Sequence, residues 1–249
     1  MSDERKSLDF KDPWWGEHVH RYKAILPFIN KSDIILDLAC GTGYGTNILA
    51  QQTDNTVIGG DISKEAVDAC NSTWHRANIV FRVLDGTQLD FPDNYFDKIY
   101  SFETIEHTTE YKKMLSEFRR VLKPSGTLYL STPNNNITSP NGVIKNPYHT
   151  QEFSFEQLKN LLQIFSFVNI MGQKFIRFTK KGFAEKKNKI VIGFLTLRGI
   201  RKIPFLIREG ASKALTNQGL YPTENDFTLT DNESDIKKNC PVLFAICKK

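Results

Sequence analysis

The stretch that decides the fold of this chain covers residues 34–45 and reads Ile-Ile-Leu-Asp-Leu-Ala-Cys-Gly-Thr-Gly-Tyr-Gly. A short apolar run enters a glycine-rich turn, and a helical pattern follows from residue 46. An open α/β sheet binds its ligands at such a strand–turn–helix junction. Gly41 and Gly43 let the backbone approach a ligand closely and adopt a positive φ at no steric cost. The stretch therefore predicts a ligand site at the end of a buried parallel strand.

The acidic residue in this stretch argues against a dinucleotide. The pattern G-x-G-x-x-G is not met, because the third glycine is Gly45 and position 46 is Thr. Asp37 stands just before the turn, where its carboxylate would repel a pyrophosphate. A cationic ligand fits this position better.

From residue 34 onward the chain alternates strand and helix patterns, which predicts βαβ units and a parallel sheet. The predicted strands are 34–38, 56–60, 79–84, 96–102 and 126–131, and the predicted helices are 46–52, 64–74, 111–122 and 155–165. Two further strands, 168–178 and 242–247, are expected to pair antiparallel. The fold class is thus α/β: a Rossmann-like, doubly wound, mostly parallel seven-stranded sheet with an antiparallel last strand.

Three segments follow from this pattern. Residues 1–33, with two tryptophans and a helical stretch, are expected to form an N-terminal cap over the ligand-binding end of the sheet. Residues 34–249 form the main domain, and residues 179–240 are predicted to be a lid inserted between its last two strands.

Composition excludes several classes of protein. The chain has 249 residues, 40% hydrophobic and 24% charged, with a net charge of +5, which is typical of a globular protein. No apolar stretch approaches the roughly 18 residues of a membrane span, and the charged N-terminus lacks the apolar core of a secretory signal. The four cysteines form no C-x-x-C pair, which fits reduced thiols. We expect a cytoplasmic protein without a transmembrane segment.

The charge is unevenly distributed. Residues 174–213 contain 12 Lys or Arg but only Glu185 and Glu209 as acids, with apolar residues interleaved from 190 to 207. Such a stretch suits nucleic acid, an anionic membrane surface or a phosphate-bearing substrate. It equally suits a solvated basic face, an amphipathic lid or an interfacial segment.

Carboxylates also follow the next two strands. Asp61 stands about 20 residues after the glycine turn, where a carboxylate can accept both hydroxyls of a ribose. Asp85 and Gly86 end the third strand, where Asp85 is placed to accept a hydrogen bond from an adenine amino group. Each aspartate taken singly also suits a helix cap or a turn.

Taken together, Asp37, Gly41, Gly43, Asp61 and Asp85 resemble class I S-adenosylmethionine-dependent methyltransferases, over roughly residues 17–178. The resemblance continues through FDKIYSFETIEH, RRVLKPSGTLYLSTPN and YHTQEFSFEQLKNLL. It implies S-adenosylmethionine as cofactor, with the ribose on Asp61, the adenine at Asp85 and the methionine part beside the glycine turn. The full set of implied cofactor residues is Tyr22, Asp37, Ala39, Gly41, Gly43, Asp61, Ile62, Asp85, Gly86 and Phe102.

Acidic and imidazole side chains cluster after the fourth strand. In Glu103-Thr-Ile-Glu106-His107 they are spaced i, i+3 and i+4, which would place them on one face of a helical turn. His149 follows the fifth strand and is expected to reach the same cleft. Two carboxylates and two imidazoles suit Mg²⁺, Mn²⁺ or Fe²⁺. Alternatively, Glu106 and His107 only shape the pocket and His149 only caps the next helix.

This cluster resembles the metal site of small-RNA terminal 2′-O-methyltransferases and of ubiquinone-biosynthesis O-methyltransferases. The resemblance implies that Glu103, Glu106, His107 and His149 hold Mg²⁺ or Mn²⁺ beside a vicinal diol. Catalysis is then expected from His107 and Glu106, and without a metal His107 is the expected general base.

The segment Glu17-His-Val-His-Arg-Tyr22 resembles the E-H-x-x-R-Y segment of methyltransferases that modify sugars or surface glycans. It implies Arg21 or Tyr22 near the cofactor's carboxylate and His18 or His20 near the acceptor. The alternative is a helix with a solvated basic face and Tyr22 packed on the sheet.

Three acceptors are considered: a small polyol, sugar or sugar phosphate in surface-glycan or natural-product assembly, a catechol-type quinone precursor, and RNA 2′-hydroxyls. The first is preferred, and no stable nucleic-acid partner is expected, because no separate RNA-binding module is present. A scaffold that binds the cofactor without turnover is the non-enzymatic alternative. The sequence does not fix the oligomeric state.

Overall fold

The computed structural model describes residues 14–177, 183–197 and 199–249. The first 13 residues of the predicted cap and the first residues of the predicted lid lie outside the described residues.

An eight-stranded sheet is the centre of the fold. Its strands are β1 (Ile35–Leu38), β2 (Val57–Asp61), β3 (Ile79–Val83), β4 (Phe96–Phe102), β5 (Leu122–Pro133), β6 (Phe167–Phe175), β7 (Phe227–Thr230) and β8 (Val242–Lys248), in the spatial order β3-β2-β1-β4-β5-β8-β6-β7. The first five strands run parallel, and β8 lies antiparallel between β5 and β6. The predicted α/β class and the antiparallel pairing of the two late strands are confirmed.

The predicted strand number needs a correction, because β7 is an eighth strand inside the segment assigned to the lid. Its sequence, Phe-Thr-Leu-Thr, spans only four residues, none of them fully buried. A run this short at a sheet edge leaves too little alternation to be recognised.

The helices are α1 (Trp15–Ile25), α2 (Tyr44–Ala50), α3 (Lys64–Thr73), α4 (Tyr111–Val121), α5 (Asn135–Thr138), α6 (Phe155–Leu161), α7 (Phe183–Leu195), α8 (Phe205–Thr216) and α9 (Glu233–Asn239). Short 3₁₀ turns occupy Leu26–Phe28, Ile105–His107, Leu162–Ile164, Ile200–Lys202 and Glu224–Asp226. At the start of α6, the Ser154 side chain accepts from the Gln157 amide and the Gln157 side chain accepts from the Ser154 amide. These two bonds satisfy amides that the first helical turn leaves unpaired.

The core forms where the parallel strands are covered on both faces. All four residues of β1 are buried, as expected for a central strand of a parallel sheet. Leu115 and Phe118 of α4 are fully buried in the same apolar cluster as Ile99 and Leu128. This burial fixes the strand ends from which the candidate site is built.

The described residues divide into two compact units. The sheet unit comprises residues 24–174 and 229–249, and the helical unit comprises residues 14–23 with those described between 175 and 228. Across the described ranges, every helix is too short or too polar to traverse a lipid bilayer.

Candidate functional site

The predicted cofactor residues of the sheet unit gather at one edge of the sheet. β1 lies between β2 and β4, and all three strands are parallel, so their carboxyl ends meet at this edge. The chain leaves β1 towards β2 and returns on its other side at β4. Open α/β sheets bind ligands at this reversal of strand order.

The glycine turn is closed by backbone hydrogen bonds. The Cys40 amide donates to the Gly60 carbonyl and the Gly43 amide donates to the Cys40 carbonyl, both at 2.9 Å. Gly41 and Gly43 have φ values of +56° and +76°, a region that favours glycine. A Cβ on Gly43 would lie 2.9 Å from the Cys70 Sγ, whereas a Cβ on Gly41 would meet nothing within 4 Å. Gly41 therefore borders open space, and Gly43 is packed against α3.

Asp61 at the end of β2 is tied to this turn. Its Oδ2 accepts from the Gly41 amide at 3.0 Å, and its Oδ1 accepts from the Ser63 amide at 2.9 Å. Each carboxylate oxygen can accept more than one hydrogen bond, so these contacts orient Asp61 without using up its acceptor capacity. Ile62, the next residue, is 72% exposed.

Asp37 at the end of β1 is almost fully buried, and its Oδ2 accepts from the Thr46 hydroxyl at 2.6 Å. This bond joins β1 to the first turn of α2. Ala39, which follows, is exposed and has a φ of +61°. The turn thus holds a non-glycine residue in a conformation that costs energy, a feature that clusters at functional sites.

The other predicted cofactor residues of the sheet unit lie after β3 and at the end of β4. Asp85 is exposed, and its Oδ1 accepts from the amide and the hydroxyl of Thr87, both at 2.8 Å. Gly86 is buried, and a Cβ there would lie 2.7 Å from the Leu38 side chain. Phe102 is buried and lies 5.6 Å from the Phe244 ring.

Tyr22 is buried and belongs to the helical unit. Within that unit, the nearly fully buried Arg21 lies 3.5 Å from the Glu17 carboxylate and 3.4 Å from His18 Nδ1. Burial and the positive charge of Arg21 lower the pKa of His20 to about 4. The segment thus contains a buried Glu17–Arg21 ion pair rather than only a solvated basic face.

Three of the four predicted metal ligands come together. Glu106, His107 and His149 each offer a donor atom within 4.8 Å of the others. His107 Nε2 lies 3.9 Å from Glu106 Oε1, and the two imidazole rings stand edge to face at 4.8 Å. Such a set can bind a cation or move a proton.

Hydrogen bonds orient each member of this Glu106–His107–His149 cluster. Glu106 is fully buried, its Oε2 accepts from the Thr132 hydroxyl at 2.9 Å, and its carbonyl accepts from the Thr150 amide at 2.8 Å. His107 Nδ1 lies 3.0 Å from the Tyr148 carbonyl. A carbonyl only accepts, so this contact assigns the proton to Nδ1 and a lone pair to Nε2.

The same reasoning assigns the tautomer of His149. Its Nδ1 lies 2.9 Å from the Glu152 carboxylate, and its Nε2 lies 2.9 Å from Asn146 Nδ2. The Asn146 Oδ1 accepts from the Tyr148 amide, which orients its NH₂ group towards the imidazole. His149 Nε2 is therefore an acceptor.

Glu103 lies outside this cluster. Its φ is +52°, and the helical turn begins only at Ile105, so the expected shared helical face does not form. The Glu103 carboxylate instead accepts from the Ser131 hydroxyl at 2.7 Å. His149 does not cap the next helix either, because Ser154 caps α6.

Glu152 is the residue that the sequence reasoning missed. Its buried carboxylate accepts from the hydroxyls of Thr138 and Ser139 as well as from His149. Burial opposes ionisation of Glu152, but these three hydrogen bonds outweigh it and lower its pKa. The available signal was its spacing, three residues after His149.

Comparison with known proteins shows what the sheet unit is similar to. Residues 36–130, which include the glycine turn, Asp61, Asp85 and the Glu-His pair, match a family model described as a methyltransferase domain. This part of the chain is therefore similar to methyltransferase domains. The cofactor of this family is S-adenosylmethionine.

The relatives of this chain include methyltransferases that are named for different acceptors. A probable S-adenosylmethionine-dependent methyltransferase of Mycobacterium tuberculosis is 32% identical over 164 residues, 66% of this chain and 58% of that protein. The 27-O-demethylrifamycin SV methyltransferase of Amycolatopsis mediterranei is 28% identical over 49% of this chain and 53% of its own. Phosphoethanolamine N-methyltransferase 3 of Arabidopsis thaliana is 32% identical over 39% of this chain and 20% of its own. The chain thus spans less than two thirds of the length of each of these curated relatives.

A solved structure shares the fold of this chain. The crystal structure of a SAM-dependent methyltransferase from Archaeoglobus fulgidus superposes with a TM-score of 0.57 at 20% identity, over 94% of each chain. This likeness supports the Rossmann-like methyltransferase fold.

Proposed function

We propose that the protein is an S-adenosylmethionine-dependent methyltransferase that methylates an oxygen of a small polyol, sugar or sugar phosphate, with a divalent cation bound by Glu106, His107 and His149. The observation that carries this proposal is the convergence of one buried carboxylate and two oriented imidazoles after β4 and β5. Surface-glycan or natural-product assembly in the cytoplasm is the proposed setting. Four buried cysteines that form no disulfide bond are consistent with a reducing compartment.

The donor set fits Mg²⁺, Mn²⁺ or Fe²⁺. Metal-bound histidines usually donate their other N–H to a carbonyl or carboxylate, as His107 does to Tyr148 and His149 does to Glu152. Both Nε2 atoms then carry lone pairs. Binding at His149 would replace its hydrogen bond with Asn146, and three protein ligands would leave positions for acceptor oxygens.

The chain's own residues would divide the work. Asp61 would accept hydrogen bonds from the cofactor ribose, and Gly41 would let the cofactor approach the backbone. His107 and His149 would hold the acceptor hydroxyl in line with the sulfonium methyl group, because displacement at carbon needs near-contact, collinear geometry. A bound cation would lower the pKa of that hydroxyl and stabilise the alkoxide.

A cation-free mechanism rests on the same geometry. With its proton on Nδ1, His107 presents Nε2 as a general base, and Glu106 at 3.9 Å would stabilise the imidazolium that forms. This mechanism also admits nitrogen acceptors. The relatives include both O- and N-methyltransferases. A measurement of metal dependence distinguishes the metal-assisted mechanism from the cation-free one.

Elemental analysis and calorimetry test this proposal. S-adenosylmethionine is titrated into chelated protein and into protein supplied with Mn²⁺ or Mg²⁺. Micromolar cofactor binding, together with a metal that is lost from the Glu106→Gln/His107→Ala variant, supports metal-assisted O-methylation. Cofactor binding with no metal under any condition leaves the general-base mechanism, and no cofactor binding refutes the function.

The other acceptors predict different observations. A quinone precursor requires turnover with a catechol ring, and RNA requires binding that weakens steeply with salt. A cofactor-binding scaffold predicts affinity for S-adenosylmethionine with no turnover on any acceptor. A panel of vicinal diols, catechols and short RNAs, assayed with labelled cofactor, distinguishes these functions.

A further inference from the structure

The helical unit contains a helical hairpin with an exposed apolar end. Arg208, near the start of α8, donates to the Leu195 carbonyl at the end of α7 at 3.2 Å, and Asn188 donates to the Thr216 carbonyl at the end of α8 at 3.2 Å. These two bonds show that α7 and α8 run antiparallel. Arg208 also donates to the Ile203 carbonyl at 3.0 Å, so one buried guanidinium holds the connection between the helices.

The end of this hairpin exposes large apolar side chains. Leu206 and Ile207 are 72% and 62% exposed, and Phe194 and Leu197 are more than half exposed. Ile203 is 41% exposed. We call Phe194, Leu197, Ile203, Leu206 and Ile207 the apolar tip.

The apolar tip is not needed for packing inside the hairpin. Ile192 and Leu195 of α7 are buried, as are Arg208, Ser212 and Thr216 of α8. Single exposed apolar residues are common on protein surfaces, but five within 14 residues form a patch that marks an interaction site.

Basic residues lie along the same hairpin: Lys202 lies within the span of the tip, and Lys186, Lys187 and Lys189 lie in the first half of α7. Residues 183–216 contain eight Lys or Arg and only two acids, Glu185 and Glu209. Lys186, Lys187, Lys189 and Lys202 are exposed, and Glu209 already pairs with Lys213 at 3.1 Å. The hairpin therefore presents aliphatic and aromatic side chains in a positive field.

We propose that the apolar tip docks the protein onto an anionic lipid surface, with Phe194, Leu206 and Ile207 in the interfacial region and the lysines on the lipid headgroups. This combination of apolar and basic groups is what interfacial helices use. Nucleic acid would bind the lysines but would leave the aliphatic side chains in water. With 13 and 12 residues, α7 and α8 are too short to span a bilayer, so the hairpin lies on the surface.

Vesicle sedimentation of the full chain tests this docking. We expect binding to phosphatidylcholine vesicles that contain about one third phosphatidylglycerol, and weak binding to phosphatidylcholine alone. Leu206→Ser/Ile207→Ser should lower the partition coefficient at least about tenfold, because the interfacial contact depends on buried apolar area. Ile164→Ser/Val80→Ser, which also changes two exposed aliphatic residues, is the matched control and should bind like the wild type.

A second measurement reports on the tip directly. In Phe194→Trp, brominated lipids should quench more tryptophan fluorescence than they quench in the wild type, which has three tryptophans elsewhere. Absence of binding to anionic vesicles overturns the proposal, and so does equal binding by the Leu206→Ser/Ile207→Ser variant. A dimer in light scattering that this variant abolishes, without any vesicle binding, would show that a second copy covers the tip instead.

Discussion

The cofactor end and the acceptor end of the candidate site are held in different ways. At the cofactor end, Asp61 and Asp85 accept from amides two residues further along the chain, at Ser63 and Thr87. At the acceptor end, His107 is held by a carbonyl 41 residues away and Glu106 by an amide 44 residues away. The contacts at the first end thus span two to 20 residues, whereas those at the second end join the segments that follow β4 and β5.

Because of this difference, we expect substitutions to change either the affinity for S-adenosylmethionine or the turnover, depending on the end at which they lie. The turns after Asp61 and Asp85 depend on β2 and β3. Substitutions at the cofactor end should therefore change S-adenosylmethionine binding. The long-range contacts place a base or a metal against the acceptor, so substitutions there should change turnover at constant cofactor affinity. The predictions below test this separation, from the largest expected effect to the smallest.

His107→Ala should lower turnover by about 10²–10⁴-fold, because the variant loses a group that either transfers a proton or binds the cation. The dissociation constant of S-adenosylmethionine should stay within about twofold of the wild-type value, since the contacts that orient His107 are made with Tyr148, Glu106 and His149. Kinetics with labelled cofactor and calorimetry measure the two quantities. His75→Ala, at an exposed histidine after α3, is the control, and an active His107→Ala enzyme would remove this residue from the mechanism.

Asp61→Ala should weaken S-adenosylmethionine binding by about 10–100-fold, which corresponds to the loss of one or two hydrogen bonds to a charged group. The Gly41 amide also loses its acceptor, so the turn itself becomes less ordered. Calorimetry measures the affinity, with Asp54→Ala at an exposed aspartate as control. An unchanged dissociation constant would contradict the placement of the ribose.

Glu152→Gln should weaken metal binding by about tenfold, because the Glu152 carboxylate accepts from His149 Nδ1 and orients its imidazole ring. Turnover should return when Mn²⁺ is in excess. Asn146→Ala removes the competing donor to His149 Nε2, so it should bind the metal at least as tightly as the wild type. If excess metal restores nothing, Glu152 supports a general base and the cation-free mechanism is favoured.

The contrast between the two ends also explains how much the sequence predicted. The turns after Asp61 and Asp85 and the Ser154–Gln157 capping box depend on neighbours within three residues, so these features follow from local spacing. The expected shared face of Glu103, Glu106 and His107 assumed a regular helix. The positive φ of Glu103 and its hydrogen bond with Ser131 break that geometry, and both depend on the neighbouring strand β5.

Glu152 and β7 were not predicted for a related reason. A glutamate three residues from a histidine is common on surfaces, and only the folded chain brings Thr138 and Ser139 to its carboxylate. The four residues of β7 are too few to display a period, and their pairing depends on the sheet edge rather than on their own sequence. Contacts between distant segments, and not the identity of the residues, limited the prediction.

The smallest expected effects on activity come from two glycines of the same turn. Gly41→Ala and Gly43→Ala both place an alanine at a positive φ, which costs about 1–2 kcal/mol. At Gly43 the added Cβ would also lie 2.9 Å from Cys70, Phe81 and Trp74, and this overpacking costs about a further 1–3 kcal/mol. At Gly41 the Cβ enters open space on the side proposed for the cofactor.

Chemical denaturation and calorimetry separate these two effects. Gly43→Ala should lower the free energy of unfolding more than Gly41→Ala does. Any loss of S-adenosylmethionine affinity in Gly43→Ala should follow from its unfolded fraction. Gly41→Ala should lose less stability but more affinity per folded molecule, because its methyl group occupies space that the cofactor needs. Equal affinity in folded Gly41→Ala and wild type would show that the open space beside Gly41 is not part of the cofactor site.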